Sequence, residues 1–204
     1  MLLAIDVTLG PLLTLVVFDR SKKSLRFDLT CIALLQVTAL TYGIYTVEAG
    51  RPHYLVFVKD RFEAVSRADL RAEDRDAGAG NSSAEVDWLG PKIIAASTPD
   101  SVVDRNTLLL ESALGGRDVQ HFPKRYRDYS TQARVAAAKA RPLGELRDLN
   151  PRQENLLRSA ASSTGLTEDR LGFLPIRGPQ GDASMLIETA TGAVKGMVAL
   201  QPWR

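Results

Sequence analysis

The chain has 204 residues, 45% of them hydrophobic, and its 26 basic and 24 acidic residues leave a net charge of +2. With so even a balance and no isolated Lys/Arg block, there is no phosphate-binding stripe, and nucleic acid is not an expected partner. The single cysteine, Cys31, excludes an intramolecular disulfide and a cysteine-based metal cluster.

The apolar residues are concentrated in the first quarter. Residues 1–18 are apolar apart from Asp6, Thr8, Gly10, Pro11 and Thr14, and residues 29–47, "LTCIALLQVTALTYGIYTV", carry no charge. Both runs approach the roughly 20 residues that cross a bilayer core as helix. The short "DRSKKSLRFD" at 19–28 between them predicts a transmembrane helical hairpin. Its Arg20, Lys22, Lys23 and Arg26 are the kind of residues that short loops keep on the cytoplasmic side, so everything from Glu48 onward is expected outside the cytoplasm. The start has neither the basic n-region nor the small-residue cleavage site of a signal peptide.

Two features of the first run do not suit a passive anchor. Asp6 places a carboxylate in hydrocarbon, which costs about 2.5 to 3.5 kcal/mol on insertion scales. A hydroxyl of the second span, a bound proton or a third helix would offset that cost. At 1.5 Å per residue, Asp6 lies at about the depth of Thr41 and Tyr42. Gly10 and Pro11 predict a kink, because proline removes a backbone donor and clashes with the preceding turn. Gln36 and Thr38 add polar groups to the second span, of the type that bond across helices.

The blocks "LLAIDVTLGPLLTLVVF", "KKSLRFDL", "ALTYGIYTVEAGRP" and "YLVFVKDRFEAV", in that order, resemble the TfpX/TfpZ family of type IV pilin accessory proteins. "FPKRYRDY" and "LGFLPIRG" resemble weaker landmarks of the same family. The resemblance implies a multi-pass protein of the bacterial inner membrane with its C-terminal domain in the periplasm. It also implies a non-enzymatic, chaperone-like role in pilin handling and type IV pilus assembly, with no catalytic residues and no cofactor. Family members carry another hydrophobic helix upstream, so a further membrane segment before Met1 is expected.

Residues 48–204 read as an α+β domain. Tyr54 to Val58 is rich in aromatic and branched residues and predicts a strand, with a second strand or bend after it. "DAGAGNSS" at 76–83 reads as a flexible surface loop, because no strand-to-helix context surrounds its glycines. Helices are expected over 106–114, 130–140 and 151–162, the last with Pro151 at its first position. "LGFLPIR", "ASMLIET" and "AVKGMVAL" predict three late strands, the last two joined at "ATG". The expected architecture is a small antiparallel sheet covered on one face.

His53 and His121 are the only histidines and have no ligand spacing around them, so no metal site is expected. No G-x-S-x-G nucleophile motif is present. Outside the membrane, Lys124, Arg125, Tyr126, Arg127 and Tyr129 form the most site-like cluster, since Arg and Tyr are enriched where proteins bind proteins. The same residues also fit an ordinary loop whose tyrosines pack inward. The expected partner contacts are Asp6, Gly10, Pro11, Gln36 and Tyr42 for the transmembrane helix of a pilin, and Arg125, Tyr126 and Tyr129 for its globular head. The lipid bilayer is the other expected partner. A different class of function, an anchored periplasmic sensor or ligand-binding module, would need a cytoplasmic output that the short connector does not provide.

Overall fold

The computed structural model describes residues 25–86, 90–97, 101–179 and 181–203. The chain divides into two compact units, Met1–Arg51 and Pro52–Arg204. The expected span at 1–18, with Asp6, Gly10 and Pro11, lies outside the described residues. In the first unit, Leu25–Gly50 forms one helix, α1. Its length and composition suffice to cross a membrane, and it is the one candidate span among the described residues. The expected hairpin is therefore not seen as such, and residues 25–28 of its connector are helical.

Helix α1 presents apolar side chains all round: Phe27, Leu34, Leu35, Val37, Leu40, Ile44 and Val47 are each more than half exposed. Its threonines are satisfied within the helix. Thr30, Thr38, Thr41 and Thr46 each donate the hydroxyl to the carbonyl four residues earlier, at 2.7 to 2.8 Å. Such back-bonding removes the polar cost of a hydroxyl in an apolar surrounding.

The second unit begins with a hairpin of β1 (Pro52–Val58) and β2 (Arg61–Ser66). The short helix α2 (Ala72–Ala77), strand β3 (Lys92–Ala96) and helix α3 (Val102–Gly115) follow. Next come β4 (Tyr126–Asp128), α4 (Ala133–Lys139), β5 (Arg141–Pro142), α5 (Leu143–Leu149) and α6 (Glu154–Ser163). A meander of β6 (Leu171–Arg177), β7 (Ala183–Glu188) and β8 (Val194–Val198) closes the unit.

The fold class is α+β, but the sheet differs from the small antiparallel one expected. Eight described strands form one mixed sheet in the order β4-β3-β1-β2-β6-β7-β8, with β5 beside β6. The pairs β1/β3 and β2/β6 are parallel and the others antiparallel. The β2/β6 ladder holds just two residue pairs, Phe62 with Ile176 and Glu63 with Arg177, and it joins the two halves of the sheet.

Both faces of the sheet are covered, because strand side chains alternate. Leu55, Phe57, Phe62, Leu174, Ile176, Met185 and Ile187 form a core common to both halves, capped by Ala136 of α4. Behind the second half, Leu171, Phe173, Leu186 and Val198 pack on Leu143 and Leu146 of α5 and on Leu157 and Ala161 of α6. Behind the first half, Tyr54, Val56, Val65 and Ile94 pack on Leu70, Val119 and Tyr126, with Leu108 of α3 beside them. The helices form as their spacing dictates: Leu157 and Ala161 lie one turn apart on the buried side of α6, with an Arg158–Glu154 pair at 2.9 Å on its surface.

The turn between β7 and β8 depends on a glycine. Gly192 has φ +75°, and a Cβ there would lie 1.8 Å from the Ala133 carbonyl oxygen at the start of α4. Both the backbone conformation and the close approach exclude a side chain. Gly144→Ala in α5, where an added Cβ meets nothing within 4 Å, is the matching control. Gly192→Ala is expected to lower unfolding stability by roughly 2 to 4 kcal/mol. Gly144→Ala should change it by less than about 1 kcal/mol, towards greater stability. Denaturant unfolding of the detergent-solubilised chain, followed by near-UV circular dichroism, measures both.

Candidate functional site

The segment 118–132 runs as three short 3₁₀ turns around β4. Asp118 caps the first, Val119–His121: its carboxylate accepts the Val119 N–H at 2.7 Å, and its own N–H donates to His121 Nδ1 at 3.2 Å. Pro123 opens the second turn, Pro123–Arg125. After β4, Asp128 caps the third, Tyr129–Gln132, accepting the Ser130 N–H at 2.8 Å. Hydrogen bonds from the Ser130 hydroxyl and then its N–H hold the Asp128 carboxyl below its ordinary range.

These turns fix which way each side chain of the predicted cluster points. Tyr126 is fully buried against Tyr54, with ring centroids 5.1 Å apart, and its hydroxyl donates to the Gln120 carbonyl at 2.6 Å. Burial pushes its phenol far above the usual range. Tyr129 packs on Phe57 and Phe62 and donates to the Gly192 carbonyl at 2.7 Å. Burial pushes its phenol up to about 12. Both tyrosines thus belong to the scaffold, and Tyr126 is closed to any partner. Arg125 is half-buried and its carbonyl accepts from Ser97. Lys124 and Arg127 are exposed, with Arg127 Nη1 donating back to the Tyr126 carbonyl at 2.9 Å.

On α1, Tyr42 is 71% exposed and Gln36 is half-buried. Six residues apart, they stand roughly 120° from each other around the helix. The structure therefore gathers neither this pair nor the 125–129 trio into one surface.

The "DAGAGNSS" stretch packs against the same segment instead of forming a free loop. Gly78 is buried, and a Cβ there would lie 2.6 Å from Pro123 Cβ. Asn81 Nδ2 donates to the carbonyls of Pro123 and Tyr126 at 2.9 and 3.0 Å, while its Oδ1 accepts the Ser83 N–H. A cavity of about 230 Å³ lies here, lined in part by Tyr54, Arg67, Arg75, Asn81 and Pro123.

A larger groove, about 450 Å³, opens where the β2/β6 ladder meets the Asp118–His121 turn. Lys59, Arg61 and Arg177 line it with Glu63, Asp118 and His121. Glu63 is half-buried; burial raises its carboxyl, and Arg177 and Arg61 pull it partly back down. Arg61 and Arg177 stack on the Trp203 ring, their Cζ atoms 5.5 and 6.0 Å from its centroid. Gln120 Oε1 is buried without a hydrogen-bond partner. Among the described residues no group of three His, Cys, Asp or Glu could hold a metal ion. The groove thus offers fixed cations and a half-buried acid, which suit the holding of a polar segment. His121 is singled out in the sequence only as a histidine without ligand spacing, and the other lining residues carry no site signal there. The alternation of Arg61, Phe62 and Glu63 was the available signal for a polar face on β2, but the approach of Arg177 and Trp203 is non-local.

No family model matches the chain, and no solved structure does. Three curated proteins of Dichelobacter nodosus are similar to it. The fimbrial assembly protein of serogroup I is 26% identical over 179 residues, covering 86% of this chain and 69% of that protein. The serogroup E1 protein is 26% identical over 175 residues, 84% of this chain and 67% of its own length. The fimbrial assembly protein of serogroups C1 and C2 is 33% identical over 72 residues, or 34% of this chain and 55% of that protein. Over most of its length, then, the chain has homologues named for fimbrial assembly.

Tyr129 gives a pH test of this geometry. Its folded pKa lies above the unfolded value near 10, so its contribution to stability is complete below pH 10 and lost as pH rises towards about 12. Tyr129→Phe should cost about 1 kcal/mol at neutral pH through the lost bond to Gly192. It should also make the fall in melting temperature between pH 10 and 12 shallower than in the parent chain. Thermal melts across that range read both effects.

Proposed function

We propose that this chain is a non-enzymatic pilus assembly factor anchored in the bacterial inner membrane by α1, whose Pro52–Arg204 unit stands in the periplasm and handles pilin. The observation that carries this reading is the likeness to fimbrial assembly proteins over most of the chain. The chemistry of α1 agrees with it: 26 residues, apolar on every side, with hydroxyls turned onto their own backbone. The cations that precede and begin α1, Arg20, Lys22, Lys23 and Arg26, favour the cytoplasmic side for that end. Gln36 and Tyr42 are the polar and aromatic points that α1 offers a neighbouring transmembrane helix. The groove around Arg61, Glu63 and Arg177 is a binding inventory of ion-pairing groups, suited to holding a polar segment of a pilin head.

Deleting the gene is expected to abolish surface pili while pilin transcript persists, and the full chain should restore them. A photo-cross-linker at position 36 or 42 should trap pilin in piliated cells. Capture of lipid alone would remove α1 from pilin handling. A C-terminal reporter active solely in the cytosol would overturn the proposed orientation.

A further inference from the structure

Helix α3 is turned the opposite way from α6. In α6 the apolar Leu157 and Ala161 are buried and charged residues face out. In α3, Leu108 alone of three consecutive leucines packs inward, and Leu109, Leu110 and Leu114 are 61%, 61% and 81% exposed. The polar Glu111 and Ser112 are half-buried instead. Leu110 and Leu114 stand one turn apart, and Leu109 and Ala113 continue the same exposed arc. Isolated exposed leucines are ordinary, but an outward leucine arc on an otherwise well-buried unit marks a surface that something covers.

We propose that this face of α3 docks into the interfacial layer of the bilayer that α1 crosses, so that the unit lies on the lipid surface rather than swinging free of it. The inference rests on the membrane-anchored reading given above. Two observations select lipid over protein. First, α1 ends at Gly50 and β1 begins at Pro52, so one residue tethers the unit and keeps it within reach of the membrane. Second, the described side chains of the exposed arc are aliphatic, apart from Arg105 and Asn106. They lack the Trp and Tyr that dominate protein-binding hot spots, where leucine is under-represented. Leucine is a standard apolar residue of helices lying in the membrane interface.

The acids near the face are partly offset. Arg117, immediately after α3, pairs with Asp74 of α2 and with Glu111 at 3.8 Å, and stacks on Phe122 with its Cζ 4.5 Å from the ring centroid. One fixed cation thus offsets part of the charge on the two carboxylates near the leucine face. Arg105 is exposed at the start of that face.

The test uses the full chain in vesicles of phosphatidylethanolamine and phosphatidylglycerol, in a Cys31→Ser background. Single variants Leu110→Cys, Leu114→Cys, Val37→Cys on α1 and Arg158→Cys on α6 each carry an environment-sensitive fluorophore. Exposure of all four parent side chains makes the substitutions benign to folding. Quenching is read with lipid brominated high on the acyl chain and with aqueous iodide. Positions 110 and 114 are expected to be quenched by brominated lipid severalfold more than position 158, and to be protected from iodide. If they follow position 158 while position 37 is quenched by lipid, the docking fails and the anchor stands. If position 37 also escapes the lipid, the anchored reading fails and the docking with it. Shielding of 110 and 114 from both quenchers means that protein covers the face, which overturns the lipid assignment.

Discussion

The two halves of the sheet meet along a parallel ladder of two residue pairs, and the rest of the second unit is arranged around that seam. A ladder so short supplies few backbone hydrogen bonds, so side chains carry the join. On one side Phe62, fully buried, sits with Phe57, Tyr129 and Ile176 in the core that both halves share. Burying such a ring is worth about 1.5 to 3 kcal/mol. On the other side Arg61 and Arg177, one from each half, stack on the same tryptophan. The groove proposed to hold a polar segment is the outer surface of this join. Its charged residues are there because two distant stretches had to be brought together.

Tyr129 extends the same logic. It follows β4 at one edge of the sheet, yet its hydroxyl reaches the carbonyl of Gly192 in the turn between β7 and β8. Gly192 in turn lies against the Ala133 backbone, which opens the helix after Tyr129. Residues that the sequence offers either as a protein-binding cluster or as a loop with inward-packed tyrosines thereby include a strap across the sheet. Asn150 plays a similar part further on, bracketing the backbone of Gln201 through both atoms of its amide, at 2.9 and 3.0 Å.

What could be read from the sequence follows from the length of each element and the locality of its contacts. Residues 54–58, 171–177 and 183–188 are strands where branched and aromatic runs predicted them, and the "ATG" turn joins β7 to β8. Helices at 102–115, 133–139 and 154–163 match three expected patterns with shifted ends. Strands β4 and β5 are three and two residues long, too short to show a period, and exist because β3 and β6 offer them an edge. Both parallel pairings join stretches far apart in sequence, and no local signal marks them. Helix α2, "AEDRDA", has no buried residue and so no apolar stripe to reveal it. Of the candidate site, the residue types were legible and their directions were not: three caps and turns within fifteen residues decide that Tyr126 points in and Lys124 points out. The resemblance to pilin accessory proteins lies in the order of whole blocks, a signal that spacing rules do not contain.

The separation in sequence across the seam also has a consequence in time. When β2 has been synthesised, its partner β6 lies more than a hundred residues downstream, and β3 and β4 can complete only the other side of β1. Until the late meander arrives, the free edge of β2 is an open template for stray strands, with Phe62 beside it uncovered. Closure of the β2 edge thus waits on the last strands to be made, which ties the protection of this half-sheet to delivery of the chain's second half.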